Sequence, residues 1–391
     1  MSLALVMQDA APEAAGRISE QVHPGTNAFV RLHEWIGPPE FIPDWIVVLG
    51  GIGIGVGVII GIVSLIALFT IWLERKVAGH IQCRFGPMYA GGWHGWAQTI
   101  ADGVKLFQKE DMVPLGADRI LFLAAPALVL GSVFGALVAM PLSYDWYFAR
   151  MDLGVFMILA LGSTTTIGVV MSGWASNSKW SLYGAMREAA QVVAYEIPLG
   201  LSLLAPLFAL GTFSLLDASD AQRGFLGIFG WAIFTNPFLT PAFIIFAISA
   251  LAETKRAPFD LPEAESELVS GFLTEYSGIR WSFFFMEEYA AMFLMSVVGA
   301  FFWFGGFESP ATYFLRTFGA EDTILFSLVC FGTLVVKGFI GVFMMIWLRW
   351  TLPRVRIDQV MSMGYKYLTP LALVSVLGAA VWEALQHLIY G

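Results

Sequence analysis

The sequence predicts an all-α integral membrane protein of about eight transmembrane helices, with amphipathic interfacial helices in the loops of one side. Hydrophobic residues make up 58% of the 391 residues and charged residues only 13%, whereas charged residues are about 25% of a usual soluble domain. The mean hydropathy is +0.72. Apolar runs of about 20 residues recur along the chain, which is the helix length that crosses about 30 Å of hydrocarbon.

Eight apolar runs are candidate membrane spans. They lie at 45–73, 120–142, 153–174, 187–212, 237–252, 282–305, 324–348 and 367–387. The fifth is short, and the segment before it, GFLGIFGWAIFTN, is typical of a partial re-entrant or interfacial piece. We expect an N-terminal extramembrane tail at 1–44 and a single polytopic membrane domain at 45–391, because the chain carries no internal repeat.

The distribution of lysine and arginine predicts the orientation. Of the 21 basic residues, 15 fall in four loops, and basic residues are enriched in cytoplasmic loops. These loops lie at 74–119, 175–187, 253–281 and 349–366. They are therefore predicted to face the cytoplasm of a bacterial cell, with the chain as a multi-pass protein of the plasma (inner) membrane and both termini on the periplasmic side.

Composition also excludes several classes of function. The net charge is −9 and no polybasic run is present, so nucleic acid is not expected as a partner. Cys83 and Cys330 match no disulfide or metal-binding spacing, so no metal site is expected. The N-terminus lacks the basic region and the longer apolar run of a signal peptide.

Residues 253–278, ETKRAPFDLPEAESELVSGFLTEYSG, carry six carboxylates and two cations. Asp260-Leu-Pro-Glu263 resembles a capping box and predicts a helix from there toward Thr274. Asp260, Glu263 and Glu267 would share one face of that helix. Close carboxylates raise one another's pKa and can take up and pass protons. A solvated acidic loop and a structural network paired to arginine are the alternatives.

Charged residues also occur in the other loops and spans. Ile100, Val104 and Phe107 alternate with polar residues, which predicts an amphipathic helix at the membrane surface. Arg187, Glu188 and Glu196 enter the fourth span, Glu287 and Glu288 begin the sixth, and Lys337 lies in the seventh. A charge at mid-bilayer costs about 2.5–3.5 kcal/mol, so each is a functional candidate, with helix–helix pairing as the alternative.

Several long segments resemble the H-subunit family of respiratory complex I, the NADH:quinone oxidoreductase, whose mitochondrial relative is NADH dehydrogenase subunit one. They are ERKVAGHIQCRFGP (74–87), ADGVKLFQKE (101–110), SGWASNSKWSLYGAMREAAQVVAYE (172–196), ETKRAPFDLPEAESELVSGFLTEYSG (253–278), FFFMEEYAAM (283–292) and RWTLPRVRIDQVM (349–361). Lys255 stands where the family motif commonly has asparagine, and Met88 and Thr99 are smaller departures.

The resemblance implies an eight-helix subunit that forms the membrane part of the quinone tunnel and begins a path of charged groups toward proton-pumping subunits. It implies that the chain itself binds no flavin, iron–sulfur cluster or nicotinamide, and that quinone is a substrate of the complex. The implied partners are the hydrophilic quinone-site subunits, the membrane-arm subunits, quinone and the lipid bilayer. No redox activity is expected from the isolated chain.

The resemblance, together with the charged residues of the spans, implies two sets of candidate site residues. The quinone-binding candidates are Glu74, Arg75, Gln82, Arg84, Asp102, Lys105, Arg187 and Arg256. The proton-path candidates are Glu188, Glu196, Glu253, Asp260, Glu263, Glu265, Glu267, Glu288 and Lys337.

Two other functions compete with this one. The chain resembles, less completely, the membrane subunit of an energy-converting hydrogenase or of another quinone- or ferredoxin-linked dehydrogenase, but the Glu-rich loop and the RWTLPRVRIDQ motif are both present in full. A stand-alone ion transporter is disfavoured because the chain has no inverted repeat with paired broken helices.

Overall fold

A computed structural model describes residues 44–262, 265–321 and 323–390, and the regular elements in this part of the chain are all helical. The α-helices are α1 Asp44–Ile81, α2 Gln98–Gln108, α3 Arg119–Val138, α4 Gly154–Ala175, α5 Lys179–Leu210, α6 Leu215–Ala221, α7 Ala232–Thr235, α8 Leu239–Glu253, α9 Glu265–Leu268, α10 Gly278–Trp303, α11 Pro310–Thr317, α12 Ile324–Thr351, α13 Ile357–Ser362 and α14 Thr369–Tyr390. The predicted tail at 1–44 lies outside the described residues except for Asp44.

The all-α membrane fold is confirmed. Within the described residues, seven helices are long and apolar enough to cross a membrane. They span Gly50–Ile81, Arg119–Val138, Gly154–Ala175, Lys179–Leu210, Gly278–Trp303, Ile324–Thr351 and Ile357–Gln386. The fifth predicted span corresponds to α8, which has only 15 residues, and at 1.5 Å per residue it is about 22 Å long, shorter than the hydrocarbon layer.

Helices α5 and α10 form the centre of the bundle. α5 packs against α4, α8 and α14, and α10 packs against α12, α3 and α1. The aromatic side chains of Phe301, Phe302 and Trp303 at the end of α10 are fully buried, and the Trp303 indole donates to Leu239 O at 2.9 Å. Outward-facing apolar side chains are exposed along α1, α12 and α14, as expected for helices that contact lipid.

The predicted amphipathic helix is α2, which begins at Gln98. Ile100, Val104 and Phe107 are all exposed on its outer face, and Arg75 of α1 pairs with Asp102 on the other face. An exposed apolar stripe beside a charged face suits a helix that lies in the membrane interface.

The helix predicted from Asp260 toward Thr274 was wrong. In the described part of this segment, only the short α9 forms, followed by a 3-10 turn at Gly271–Leu273. The reason is tertiary packing, because the loop backbone presses against α5 at Gly184. A Cβ at Gly184 would lie 2.7 Å from Gly271 Cα and 2.9 Å from Pro262 O. Asp260 lies outside α9 and accepts a hydrogen bond from Arg354 at 3.1 Å, so Asp260 and Glu267 do not share a helical face; Glu263, the third expected member, lies outside the described residues.

Candidate functional site

A buried ion-pair cluster joins the loop after α8 to helices α1, α10 and α12. We call Glu74, Arg256, Glu288, Tyr289 and Arg349 the inner cluster. Arg256 Nη1 lies 3.1 Å from Glu74 Oε2 and its Nε lies 2.7 Å from Glu288 Oε1. Glu74 also accepts from Tyr289 Oη at 2.7 Å and from Arg349. Two carboxylates therefore face two guanidinium groups, and the cluster is balanced in charge.

Arg256 is the centre of this cluster. It is 2% exposed, and its guanidinium lies over the Tyr289 ring, 4.4 Å from the centroid. Burial lowers the pKa of Arg256, but the charges of Glu288 and Glu74 outweigh burial and hold that pKa well above its ordinary value. A buried arginine with two carboxylate partners is satisfied electrostatically, whereas removal of one partner would leave a buried charge uncompensated.

A second ion-pair group lies beside the inner cluster, and we call Glu188, Lys255 and Glu287 the lysine triad. Lys255 Nζ lies 2.9 Å from Glu188 Oε1 and 3.5 Å from Glu287 Oε2. Burial lowers the pKa of Lys255, but the charges of Glu188 and Glu287 raise it above its ordinary value. Two consecutive basic residues thus pair with two consecutive acidic residues of α10: Lys255 with Glu287, and Arg256 with Glu288.

Two further carboxyls extend from the lysine triad toward the side of the bundle. Glu253 and Glu287 line the same cavity of about 20 Å³, which is room for one water molecule, since one water needs about 10–15 Å³. Glu253 Oε1 lies against Gly162 of α4. The next residue, Ser163, hydrogen-bonds Glu196, whose side chain is exposed on the outer face of α5.

A pocket of about 600 Å³ opens onto the inner cluster, a volume within the usual range for ligand sites. We call it the arginine pocket. It is lined by Ile71, Glu74, Arg75, Ala78, Arg84, Phe85, Gly86, Pro87, Phe285, Tyr289, Arg349 and Trp350. Its walls combine aromatic and aliphatic side chains with three guanidinium groups, and Glu74, Tyr289 and Arg349 belong to both the pocket and the inner cluster.

A second pocket, of about 740 Å³, lies between the loop that carries Glu267 and the segment after α12. Arg187 Nη1 donates to Glu267 Oε2 at 2.6 Å there, and Arg354 pairs with Asp260. The hydrogen bond and the charge of Arg187 lower the pKa of Glu267. Glu267 is largely exposed, so this pair is a surface interaction and lies apart from the buried carboxylates.

Comparison with known proteins identifies the family. A family model described as NADH dehydrogenase matches residues 54–380. The NADH-quinone oxidoreductase H subunit of Chlorobaculum tepidum is 42% identical over 323 residues, which are 82% of this chain and 89% of that protein. The chain belongs to the H-subunit family. The H subunit of a Geobacillus species is 41% identical over 88% of this chain and 97% of its own length, and that of Anaeromyxobacter dehalogenans is 39% identical over 87% and 83%.

Most of the predicted site residues of this H-subunit chain cluster at one end of the bundle. Glu74 and Arg256 meet directly, Arg75 pairs with Asp102, and Arg84 donates to Gln82 at 2.7 Å on the surface. Lys105 is exposed on α2. Glu263 lies outside the described residues, as does the side chain of Glu265.

Lys337 lies apart from the other predicted site residues. Its Nζ donates to the backbone oxygens of Phe304, Gly306 and Glu308 at 2.6, 2.8 and 2.6 Å. These oxygens follow the last turn of α10, whereas Glu288 lies near the middle of that helix. The intervening helix is about 24 Å long at 1.5 Å per residue. The structure therefore does not bring Lys337 together with the carboxylates.

Sequence reasoning did not single out several residues that contact the predicted ones. Tyr289, Arg349 and Ser163 were not predicted as site residues, and Lys255 was noted only as a departure from the family motif. The sequence does contain one indication of these contacts: two adjacent basic residues, Lys255-Arg256, and two adjacent acidic residues, Glu287-Glu288. Among the described residues, no group of three or more His, Cys, Asp or Glu is placed to hold a metal ion.

Proposed function

We propose that this chain forms the membrane part of the quinone-binding tunnel of complex I and links quinone reduction to proton translocation. The observation that supports this proposal is that Glu74 lines the arginine pocket and also pairs with Arg256 of the inner cluster. A ligand in the pocket would thus contact the first member of a series of charged groups that comprises the inner cluster, the neighbouring lysine triad, Glu253 and Glu196.

The arginine pocket has the chemistry that a quinone requires. Its aromatic and aliphatic walls suit an apolar ring and tail, while Arg75, Arg84 and Arg349 offer donors to a quinone oxygen. Reduction of a quinone to a quinol takes two electrons and two protons. Partner subunits of the complex supply the electrons, and this chain's carboxyl groups provide protons close to the ring. The hydrophilic quinone-site subunits would close the open side of the pocket.

The inner cluster offers a way to transmit the change in quinone charge. Glu74 accepts hydrogen bonds from Tyr289, Arg256 and Arg349 together. A negative charge that develops beside Arg349 or Tyr289 would compete for these donors and weaken their hold on Glu74. Arg256 would then shift its balance between Glu74 and Glu288, and the electrostatic change would reach the adjacent lysine triad.

The position of Glu196, the outermost carboxylate of this series, supports contact with a membrane-arm subunit. Glu196 is exposed on α5 beside the apolar residues Val193 and Ile197, which are also exposed. A carboxylate that faces lipid is costly. A membrane-arm partner that covers Glu196 with polar groups would remove this cost and would receive or supply the proton.

Glu253→Gln tests the proposal in the assembled complex. We expect NADH oxidation by a hydrophilic acceptor to stay near normal, because that reaction uses only the peripheral arm. Quinone reduction and proton translocation should fall together, because the variant removes a titratable group between Glu287 and Glu196. Glu110→Gln is the matched control, since Glu110 is exposed on the surface. Full, inhibitor-sensitive quinone reduction coupled to proton movement in Glu253→Gln would refute the proposal.

The relatives support a quinone reductase over the hydrogenase alternative, because the similar proteins are named NADH-quinone oxidoreductase subunits. Neighbouring genes provide the decisive check. Genes for flavin- and nicotinamide-binding subunits would agree with complex I, and a gene for a nickel-site subunit would favour the hydrogenase.

A further inference from the structure

The lysine triad differs from the inner cluster in its charge balance. The inner cluster has two carboxylates and two guanidinium groups. Near Lys255, by contrast, there are three carboxyl groups and one ammonium group. Glu188 and Glu287 pair with Lys255 directly, and Glu253 lies two residues before it in the chain and shares a small cavity with Glu287. Three ionised carboxylates around one buried cation would leave an excess of two negative charges, so at least one carboxyl is expected to be protonated.

The contacts indicate which carboxyl carries the proton. Lys255 is 7% exposed, Glu188 is fully buried and Glu287 is 4% exposed. The ammonium group stabilises both of the carboxylates that it contacts. Glu253 has no direct ion pair with Lys255 among the described residues. The Oε2 atoms of Glu253 and Glu188 are both buried without a hydrogen-bond donor in that part of the chain, but Glu188 is compensated by the Lys255 ammonium group, 2.9 Å from its Oε1. A buried ionised oxygen without a donor costs far more than a protonated carboxyl in the same place.

We propose that Lys255 is a positioning residue that holds Glu188 and Glu287 ionised and so makes Glu253 the carboxyl that carries the exchangeable proton. The inference rests on the proposed function and deepens it by assigning the location of that proton. Glu253 lies between the buried triad and Glu196 on the outer face, so a proton held there is placed for transfer in either direction. A proton held on Glu188 would lie deeper, fully buried and away from the outer face.

Lys255→Gln tests this assignment because it removes the cation and leaves Glu188 and Glu287 to share the site without a counterion. We expect one of them to take up a proton. Quinone reduction and proton translocation should then fall by about tenfold or more, since an uncompensated buried charge shifts an equilibrium at least that far. NADH oxidation by a hydrophilic acceptor should persist. Lys179→Gln is the control, because Lys179 is an exposed lysine at the start of α5.

The double variant Lys255→Gln/Glu188→Gln separates charge balance from packing. It removes one positive and one negative group together, so the net charge of the site is unchanged, with Glu287 as the ionised carboxylate and the proton again on Glu253. We expect it to regain most of the coupled activity that Lys255→Gln loses. If neither the single nor the double variant assembles, or if the double variant is no better than the single one, Lys255 has only a structural role and the inference is overturned.

Infrared difference spectroscopy of the assembled complex provides a readout that packing alone would not change. The stretching band of a protonated carboxyl should be lost in Glu253→Gln. In Lys255→Gln an additional band should appear, and the double variant should lack it. Unchanged coupling in Lys255→Gln together with impaired coupling in Glu253→Gln would overturn this inference while leaving the proposed function intact. Normal coupling in both variants would overturn both proposals.

Discussion

At the scale of single residues, Arg256 determines the state of several neighbours. It is the common partner of Glu74 and Glu288 and lies over the Tyr289 ring. The motif around Arg256 could be predicted to matter from the sequence. Its partners could not, because Glu74 lies 182 positions away in the chain and no local pattern specifies such a contact. The same holds for Lys255. Its difference from the family motif is visible in the sequence, but its partners Glu188 and Glu287 cannot be identified there.

We expect Arg256→Ala to destabilise the chain by about 3–5 kcal/mol, because it leaves two buried carboxylates without a shared cation. The amount of assembled complex in the membrane and the quinone reductase activity should both decrease. Arg223→Ala is the matched control. Arg223 pairs with Asp220 on the surface, where both side chains are nearly half exposed, and exposed pairs contribute about 0–1 kcal/mol. Equal, small losses in both variants would contradict the buried role of Arg256.

The Arg187–Glu267 pair is exposed, so we expect its loss to matter less than the loss of a buried charged group. The pKa of Glu267 is lowered by Arg187, so the pair adds stability above the ordinary glutamate pKa of about 4.3 and loses it as the pH falls through the lowered value. Between neutral and mildly alkaline pH the contribution is constant. We expect Glu267→Gln to reduce coupled quinone reduction less than Glu253→Gln at neutral pH. A larger loss in Glu267→Gln would show that the surface pair takes part in proton transfer.

At the scale of elements, hydropathy was sufficient for the spans but not for the acidic loop. Each of the eight predicted runs corresponds to a helix in the described residues, and seven of these helices are long enough to cross a membrane, because a backbone in lipid must satisfy its own hydrogen bonds. The capping-box pattern at Asp260 predicted a helix that does not form as expected, because a close backbone contact outweighs the local preference for helix. The approach of Gly271 to Gly184 sets the path of the loop, and sequence periodicity does not report such an approach.

Gly184→Ala tests that contact. The added Cβ would lie 2.7 Å from Gly271 Cα, so the backbone of the loop or of α5 must shift. We expect a cost of about 1–3 kcal/mol from overpacking, and a loss of quinone reductase activity because the shifted loop carries Lys255 and Arg256. Gly200→Ala in the same helix is the control. A Cβ at Gly200 meets nothing within 4 Å, so this variant should be neutral or slightly stabilising through helix propensity. Similar behaviour of the two variants would show that the contact does not position the loop.

At the scale of the whole molecule, the predicted cytoplasmic loops meet at one end of the bundle. Glu74 in the first loop contacts Arg256 in the third and Arg349 in the fourth, and Arg187 in the second contacts Glu267 in the third. The four loops that were grouped by their basic residues therefore contact one another, while their assignment as cytoplasmic loops stays a prediction, because contacts within the chain do not distinguish the two sides of the membrane.

The orientation can be tested with a residue that the chain already contains. Cys83 is exposed in the first basic loop, whereas Cys330 is buried. A membrane-impermeant maleimide should label Cys83 in inverted vesicles from which the peripheral subunits have been stripped, and should not label it in intact spheroplasts. A tag placed after Gly391 should show the opposite accessibility, because both termini are predicted to be periplasmic. Cys83→Ser should abolish the labelling and so assign it to this site. Labelling of Cys83 from the periplasmic side would invert the topology and place the arginine pocket, with Glu74 and Arg349, on the side away from the cytoplasmic partner subunits.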